Sequence, residues 1–166
     1  MRKSILALDL GTDTGYAFGS EDSNLEVGTW KLGTAKEIAE WGMTRLRRRC
    51  DPRVPRLFQK LKSQFSPDIF IFEDVEFQSS TYQTQLWSSL RGAVWCAFEV
   101  SNALIIECVP VGTLKKFATG SGNATKPMME SSLFRLYPEW KSAKLSDDAI
   151  DALWLWKWAQ IHLSQA

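Results

Sequence analysis

Two short segments of this chain are apolar at every position, Ile5-Leu6-Ala7-Leu8 and Ile69-Phe70-Ile71-Phe72, and each runs straight into an acid, Asp9 and Glu73. A β-strand points successive side chains to opposite faces, so a strand that is apolar throughout has to be covered on both. Such strands call for helices above and below the sheet. A third, mostly apolar stretch over 104–109, interrupted by Glu107, is read as another buried strand. Between the second and third, Leu86, Leu90, Ala93, Val94 and Ala97 recur at helical spacing and mark an amphipathic helix running to about Ser101. Strand–helix–strand units of this kind place their strands parallel.

The first third reads differently. Residues 4–10, 15–19 and 24–32 are strands joined by short turns of Gly, Asp, Ser and Asn, which make an antiparallel meander. The signal is weak over 37–42. Val54, Leu57, Phe58, Leu61 and Phe65 then fall on one helical face, with Asp51 as N-cap and Pro67 as stop. A short helix around 114–118, a flexible turn at Gly120-Ser121-Gly122-Asn123, a helix over 125–137 and a last one from Ser146 to about Leu163 complete the chain. The expected architecture is α/β: a mixed five-stranded sheet, three antiparallel strands then two parallel, with helices on both faces. At 166 residues and 45% hydrophobic, a single domain over 1–166 is expected.

Scarcity bounds the chemistry. There is one histidine, His162, and the three cysteines Cys50, Cys96 and Cys108 are dispersed, so no CxxC, HExxH or other Cys/His cluster exists. A zinc site or a histidine-activated nucleophile is disfavoured, and carboxylates and lysines remain. Dispersed cysteines suit a reducing cytoplasm. No apolar stretch reaches the roughly 18–20 residues of a membrane span, and the run behind Met1-Arg2-Lys3 is broken by Asp9 and Gly11. A soluble cytoplasmic protein with no membrane partner is expected.

Asp9 and Glu73 each close a strand, where loops and ligands meet. The last helix opens with Ser146-Asp147-Asp148-Ala149-Ile150-Asp151. Capping and the helix dipole account for acids in its first turn. Asp151 is different, because it lies three residues beyond Asp148 on the same face, beside the apolar Leu153 and Leu155. Carboxylates that converge without cations repel one another, so a protein that gathers them usually gathers a divalent cation. Oxygen ligands without His or Cys point to Mg²⁺ or Mn²⁺. Two such ions about 3.5–4 Å apart can hydrolyse a phosphodiester without any histidine.

Three segments carry a family resemblance: Leu6-Ala7-Leu8-Asp9-Leu10-Gly11-Thr12-Asp13-Thr14-Gly15, Ile71-Phe72-Glu73, and Asp148-Ala149-Ile150-Asp151-Ala152-Leu153. In order and spacing they resemble the three acidic motifs of the RuvC-type Holliday junction resolvases, of the ribonuclease H-like nuclease superfamily. Ser88-Ser89-Leu90-Arg91-Gly92-Ala93 looks like that family's helix after the glutamate strand, and the stretch from Val109 to Lys126 looks like its lysine-bearing segment. The match covers almost the whole chain, and the length suits a stand-alone or phage-type member.

The resemblance implies a ribonuclease H-like fold and a crossover junction endodeoxyribonuclease that resolves four-way junctions; a related nuclease acting on flaps, forks or other branched nucleic acid is the alternative. It implies that Asp9, Glu73, Asp148 and Asp151 hold two Mg²⁺ ions, for which Mn²⁺ substitutes. Lys126 and one of Lys115 or Lys116 would grip the phosphate backbone. Phe77, one position beyond strict alignment, is the candidate for the aromatic that helps open the junction centre, with loop or core packing as the other reading. Members are homodimers, and the helix from Leu86 to Phe98 is the implied contact. Asp147 is an extra acid: a cap, a residue behind the ligands, or a replacement ligand.

Residues 45–62 carry six arginines and two lysines against Asp51 alone, a net +7, so the remainder carries −6 within an overall +1. Arg47, Arg48 and Arg49 are assigned to DNA, with a solvated helix face as the alternative. Among eight tryptophans, Trp154 and Trp158 are expected to pack the last helix on the sheet. Trp41 and Trp87 are expected to be exposed, where they would pack, stack on unpaired bases or fill the dimer contact. Asp9 to Gly15 also looks like the first phosphate loop of actin-like ATPases and sugar kinases, but those need two such domains. A DNA-binding module without catalysis gains nothing from four acids facing phosphate.

Overall fold

The computed structural model describes residues 3–21, 23–75 and 80–163. Its strands are β1 (Ile5–Asp9), β2 (Asp13–Gly19), β3 (Glu26–Lys31), β4 (Ile69–Asp74) and β5 (Ile105–Pro110). They form one sheet in the order β3-β2-β1-β4-β5. The β1–β2 and β2–β3 pairs are antiparallel, whereas β1–β4 and β4–β5 are parallel. The two fully apolar runs are therefore neighbours in the middle of the sheet.

The helices are α1 (Ala35–Met43), α2 (Leu46–Arg49), α3 (Arg53–Ser63), α4 (Thr81–Glu99), α5 (Val111–Thr119), α6 (Lys126–Leu136) and α7 (Asp147–His162), with a 3₁₀ turn over Pro138–Ser142. Alternation along the central strands sorts them into two cores. Leu6, Leu8, Phe70 and Phe72 pack with Leu57 and Leu61 of α3 and Leu90 and Val94 of α4. Ile5, Ala7, Ile69 and Ile71 face the other way, onto Leu114 of α5, Leu133 of α6 and Leu153 and Leu155 of α7. Each fully buried side chain of this size contributes roughly 1.5–3 kcal/mol before chain entropy is counted. Among the described residues no helix is long and apolar enough to cross a membrane.

Three expectations need correction. The weak stretch after Gly33 is the helix α1, opened by a capping box in which Thr34 Oγ1 accepts from Glu37 N at 3.2 Å and Glu37 Oε2 accepts from Thr34 N at 2.9 Å. Asp51 is not the N-cap of α3; Pro52 occupies that position, and Asp51 instead pairs with Arg53 Nη2 at 2.7 Å. Trp41 and Trp87 are not exposed. They are 8% and 9% accessible, Trp41 with Arg56 over its ring and Trp87 among the Leu90 and Phe72 core, while Trp95 at 48% is the exposed indole. Trp154 packs as expected and donates to Met129 O at 3.2 Å; Trp158 is half-buried against the same core.

One glycine decides how α7 meets the sheet. A Cβ on Gly15 would lie 1.9 Å from the carbonyl oxygen of Asp148 and 2.2 Å from its carbon, so the first turn of α7 rests on the backbone of β2. Because the obstacle is backbone, no side-chain rotation relieves it. Gly15→Ala is expected to destabilise the fold by about 2 kcal/mol or more in urea titration. Gly112→Ala, in α5 where a Cβ meets nothing within 4 Å, is expected to be neutral or stabilising by up to about 1 kcal/mol.

Candidate active site

Strand register brings the first two acids together. The β1–β4 pairs run Ile5 with Ile69 through Leu8 with Phe72, so the next residue along each strand is Asp9 and Glu73. Both follow Ala7 and Ile71 in alternation, which places them on the sheet face covered by α7. Gly15 pairs across from Asp9 in β2, and the first turn of α7 lies on Gly15. That contact carries Asp148 and Asp151 to the same sheet end. Ser146 fixes the helix start: its Oγ accepts from Ala149 N at 3.2 Å and shares a 2.6 Å hydrogen bond with Thr29 Oγ1 of β3. Beyond Asp9 the turn is closed by the buried Thr14, whose hydroxyl donates to Gly11 O at 2.8 Å.

The electrostatics match this convergence. Burial pushes Asp9 well above the usual carboxylate range, and Glu73, Asp151 and Asp148 push it further; Lys126 pulls it back. Glu73 is raised to about 7 by burial and then by Asp151, against Lys115. Asp151 is raised to about 6, chiefly by burial, with Asp147 and Asp148 adding and Lys126 and Lys115 opposing. Asp148, less buried, is raised by burial and by Asp13 and Asp147, and lowered by Lys126. Among the described residues, no three acidic, histidine or cysteine side chains stand close enough to share one ion as placed. The fold gathers the four acids within strong electrostatic reach and leaves the last approach to side-chain rotation.

Two lysines border the acids. Lys126 opens α6 and its Nζ donates to Asp147 Oδ2 at 3.0 Å, an exposed pair that raises the lysine pKa. Asp147 thus acts on a lysine, beside the four clustered acids. Lys115 is half-buried on α5 and opposes the charge of Glu73 and Asp151, whereas Lys116, one helical step round, is exposed. Of the two candidates, helical phase turns Lys115 to the acids.

The arginine run does not form one face. Arg53 is 3% exposed, paired with Asp51 and donating to Thr12 Oγ1 at 2.8 Å and to the Tyr82 hydroxyl. Arg56 binds Glu37 at 2.9 Å and Leu32 O at 2.9 Å. Arg47 lies over the Tyr82 ring at 4.4 Å, and Arg48 and Arg49 are exposed on α2. These lie on the α3–α4 side of the sheet, away from the four acids. Phe77 falls outside the described residues.

Sequence reasoning missed three contributors. Gly15 was legible as a strand-interior glycine, the usual sign of close backbone approach. Asp74, the acid next to Glu73, is tied up by Arg91 of α4 at 3.1 Å. The Asp51–Arg53–Tyr82 network that braces the Thr12 turn joins residues far apart in sequence and leaves no local signal.

No protein-family model matches the chain, and no curated protein does. Solved structures do. Thermus thermophilus RuvC in complex with a Holliday junction substrate aligns with a TM-score of 0.71 and 16% identity over 96% of both chains. A second Thermus thermophilus RuvC structure gives 0.61 and 15% over 97% of both. The yeast mitochondrial Holliday junction resolvase gives 0.59 and 16% over 97% of this chain and 81% of the other. The chain therefore has the fold of the RuvC-type resolvases, with the ribonuclease H-like mixed sheet that its acidic motifs imply.

The raised acids carry a cost that depends on pH. Glu73 keeps its proton in the folded protein up to about 7, whereas in the unfolded chain it loses it near 4.3. Between those values the folded state binds more protons, so stability falls as pH rises. With EDTA present, urea titrations are expected to show declining stability from pH 4.5 to 7.5. Glu73→Gln should match the parent near pH 4.5 and exceed it at pH 8, by up to about 3 kcal/mol.

Proposed function

We propose that this chain is a metal-dependent endonuclease that resolves four-way DNA junctions by paired phosphodiester hydrolysis, acting as a homodimer. The observation that carries this reading is the convergence of four carboxylates at one sheet end, where burial and neighbouring acids hold all four above their ordinary pKa. Such a charge conflict has no use in a phosphate-binding module. The RuvC structure of like fold is a complex with a Holliday junction, and the yeast protein is a mitochondrial Holliday junction resolvase, which favours four-way DNA as the substrate.

The donor set is all carboxylate oxygen, which fits a hard divalent cation and not zinc. Asp9, Glu73, Asp148 and Asp151 would hold two Mg²⁺ ions, with Mn²⁺ as a substitute. When bound, such ions supply an activated water and stabilise the leaving oxygen. The chain's own part is positioning and charge. Lys126 and Lys115 border the acids from α6 and α5, where their ammonium groups would hold a phosphodiester against the carboxylate cluster and offset the repulsion between them. Burial of Asp9 under α7 limits the water that competes for the site.

The dimer reading rests on α4. Gly92 sits at its middle with open space where a Cβ would be, so nothing among the described residues requires glycine there. A mid-helix glycine costs roughly 0.5–1 kcal/mol relative to alanine. Ser88, Gly92 and the exposed Trp95 follow at helical spacing on the outward side, and close approach of a second α4 accounts for the glycine.

Two experiments test these readings. Asp9→Asn and Glu73→Gln are expected to reduce Mg²⁺-dependent nicking of a synthetic four-way junction by at least 1,000-fold while junction binding stays within a few-fold, on the scale of losing major electrostatic stabilisation. Undiminished cleavage by the Asp148→Asn/Asp151→Asn double variant would refute the metal assignment, and equal cutting of flaps or forks would refute the four-way preference. Gly92→Arg, whose side chain enters open space, should leave a folded monomer in sedimentation equilibrium where the parent is a dimer; a dimeric variant would exclude α4 as the contact.

A further inference from the structure

We propose that the groove between α2 and the first turns of α4 receives an unpaired strand of the DNA substrate, with phosphates on Arg48 and Arg49 and a base against Tyr82. This rests on the junction-cleaving reading and specifies which part of the DNA the face opposite the acids would take.

Continuity is the first argument. A cleft of about 270 Å³ opens at Leu10, Gly11 and Thr12, the turn that directly follows Asp9. It shares Tyr82 and Leu86 with a pocket of about 280 Å³, which in turn shares Arg47 and Arg48 with one of about 750 Å³ walled also by Arg49. A run of adjoining clefts thus extends from the turn after Asp9 to the arginines. Its volume suits single nucleotides, and a duplex can only lie across it.

Charge is the second. Arg53, Arg56 and Arg91 are each paired with an acid. Arg48 and Arg49, by contrast, are exposed and among the described residues make no ion pair. Their charge is available to phosphate.

The third argument is aromatic. The Tyr82 ring lines the groove beneath the Arg47 guanidinium, and its hydroxyl is fixed by the buried Arg53, which also holds Thr12. An oriented ring beside arginines is the arrangement that stacks bases without reading their sequence. Trp87 in the same wall is 9% exposed, and its buried indole N–H meets no hydrogen-bond partner among the described residues. On α4, Gln85 and Ser89 border the Ser88–Gly92 stripe, whereas Tyr82 lies further round the helix.

The test is fluorescence anisotropy in EDTA with a labelled 12-residue oligothymidylate and a blunt duplex of equal length. The Arg48→Gln/Arg49→Gln variant should bind the oligothymidylate at least 10-fold more weakly and lower its log affinity–log salt slope by about 1.4, with a clearly smaller loss for the duplex. Tyr82→Ala should weaken the single strand by about 10-fold, and Tyr82→Phe, which keeps the ring, should stay within twofold. Unchanged single-strand affinity, or equal losses for single strand and duplex, would overturn the proposal. If Tyr82→Ala fails to fold by circular dichroism, the arginine variant decides. Failure of the parent to cut four-way junctions with Mg²⁺ would instead strike the nuclease reading and leave these affinities as an independent result.

Discussion

The contact between the backbone of α7 and that of β2 at Gly15 is the constraint on which the candidate site depends. Register alone delivers Asp9 and Glu73, since both strands sit in the sheet centre and both reach their acid one step past the last apolar pair. Asp148 and Asp151 belong to a helix more than seventy residues away in sequence and reach the same place only because that helix can lie on bare backbone. The Thr29–Ser146 hydrogen bond holds its start sideways, and the Lys126–Asp147 pair closes it from α6. The four-acid cluster is a property of packing, and the chain accepts the repulsion within it because the central strands are anchored in two separate cores.

The near-zero net charge conceals a division of labour. Of the net +7 over 45–62, one arginine is spent inside the fold bracing the Thr12 turn and another ties α3 to α1 through Glu37. The charge that faces solvent is on Arg45, on Arg48 and Arg49 of α2, and on Lys60 and Lys62 of α3. The acids meanwhile collect on the opposite sheet face with two lysines at their border. Positive and negative surfaces therefore meet at the end of β1, where the chain turns through Gly11.

Much of this was legible in the sequence, for physical reasons. Strands buried on both faces have to be apolar throughout, so their number and parallel pairing could be read directly, and the acids that end them stand out because nothing else in those runs is polar. Helical phase, unlike strand alternation, needs the helix ends to be known. With the start of α5 uncertain, Lys115 and Lys116 were indistinguishable, and the structure separates them by which one faces inward. α1 was missed because its apolar face is thin, although the Thr34–Glu37 capping box was there to be read. Trp41 and Trp87 were expected outside because burial by a distant arginine or core residue leaves no trace in the local pattern, whereas Asp51 was displaced as cap by Pro52 and pairs with Arg53 two residues on.

The far end of α7 is held as well. Trp156 sends its indole N–H to the carbonyl of Gly19 at 3.0 Å, at the opposite end of the same strand that carries Gly15. A rod attached to β2 at two points has no free pivot, so the helix cannot swing to bring its acids nearer to Asp9 without breaking a buried bond. Adjustment of the carboxylate cage is left to the short torsions of Asp148 and Asp151 themselves and to the α5 and α6 side of the site. The compliant half of the candidate site is thus the lysine-bearing half.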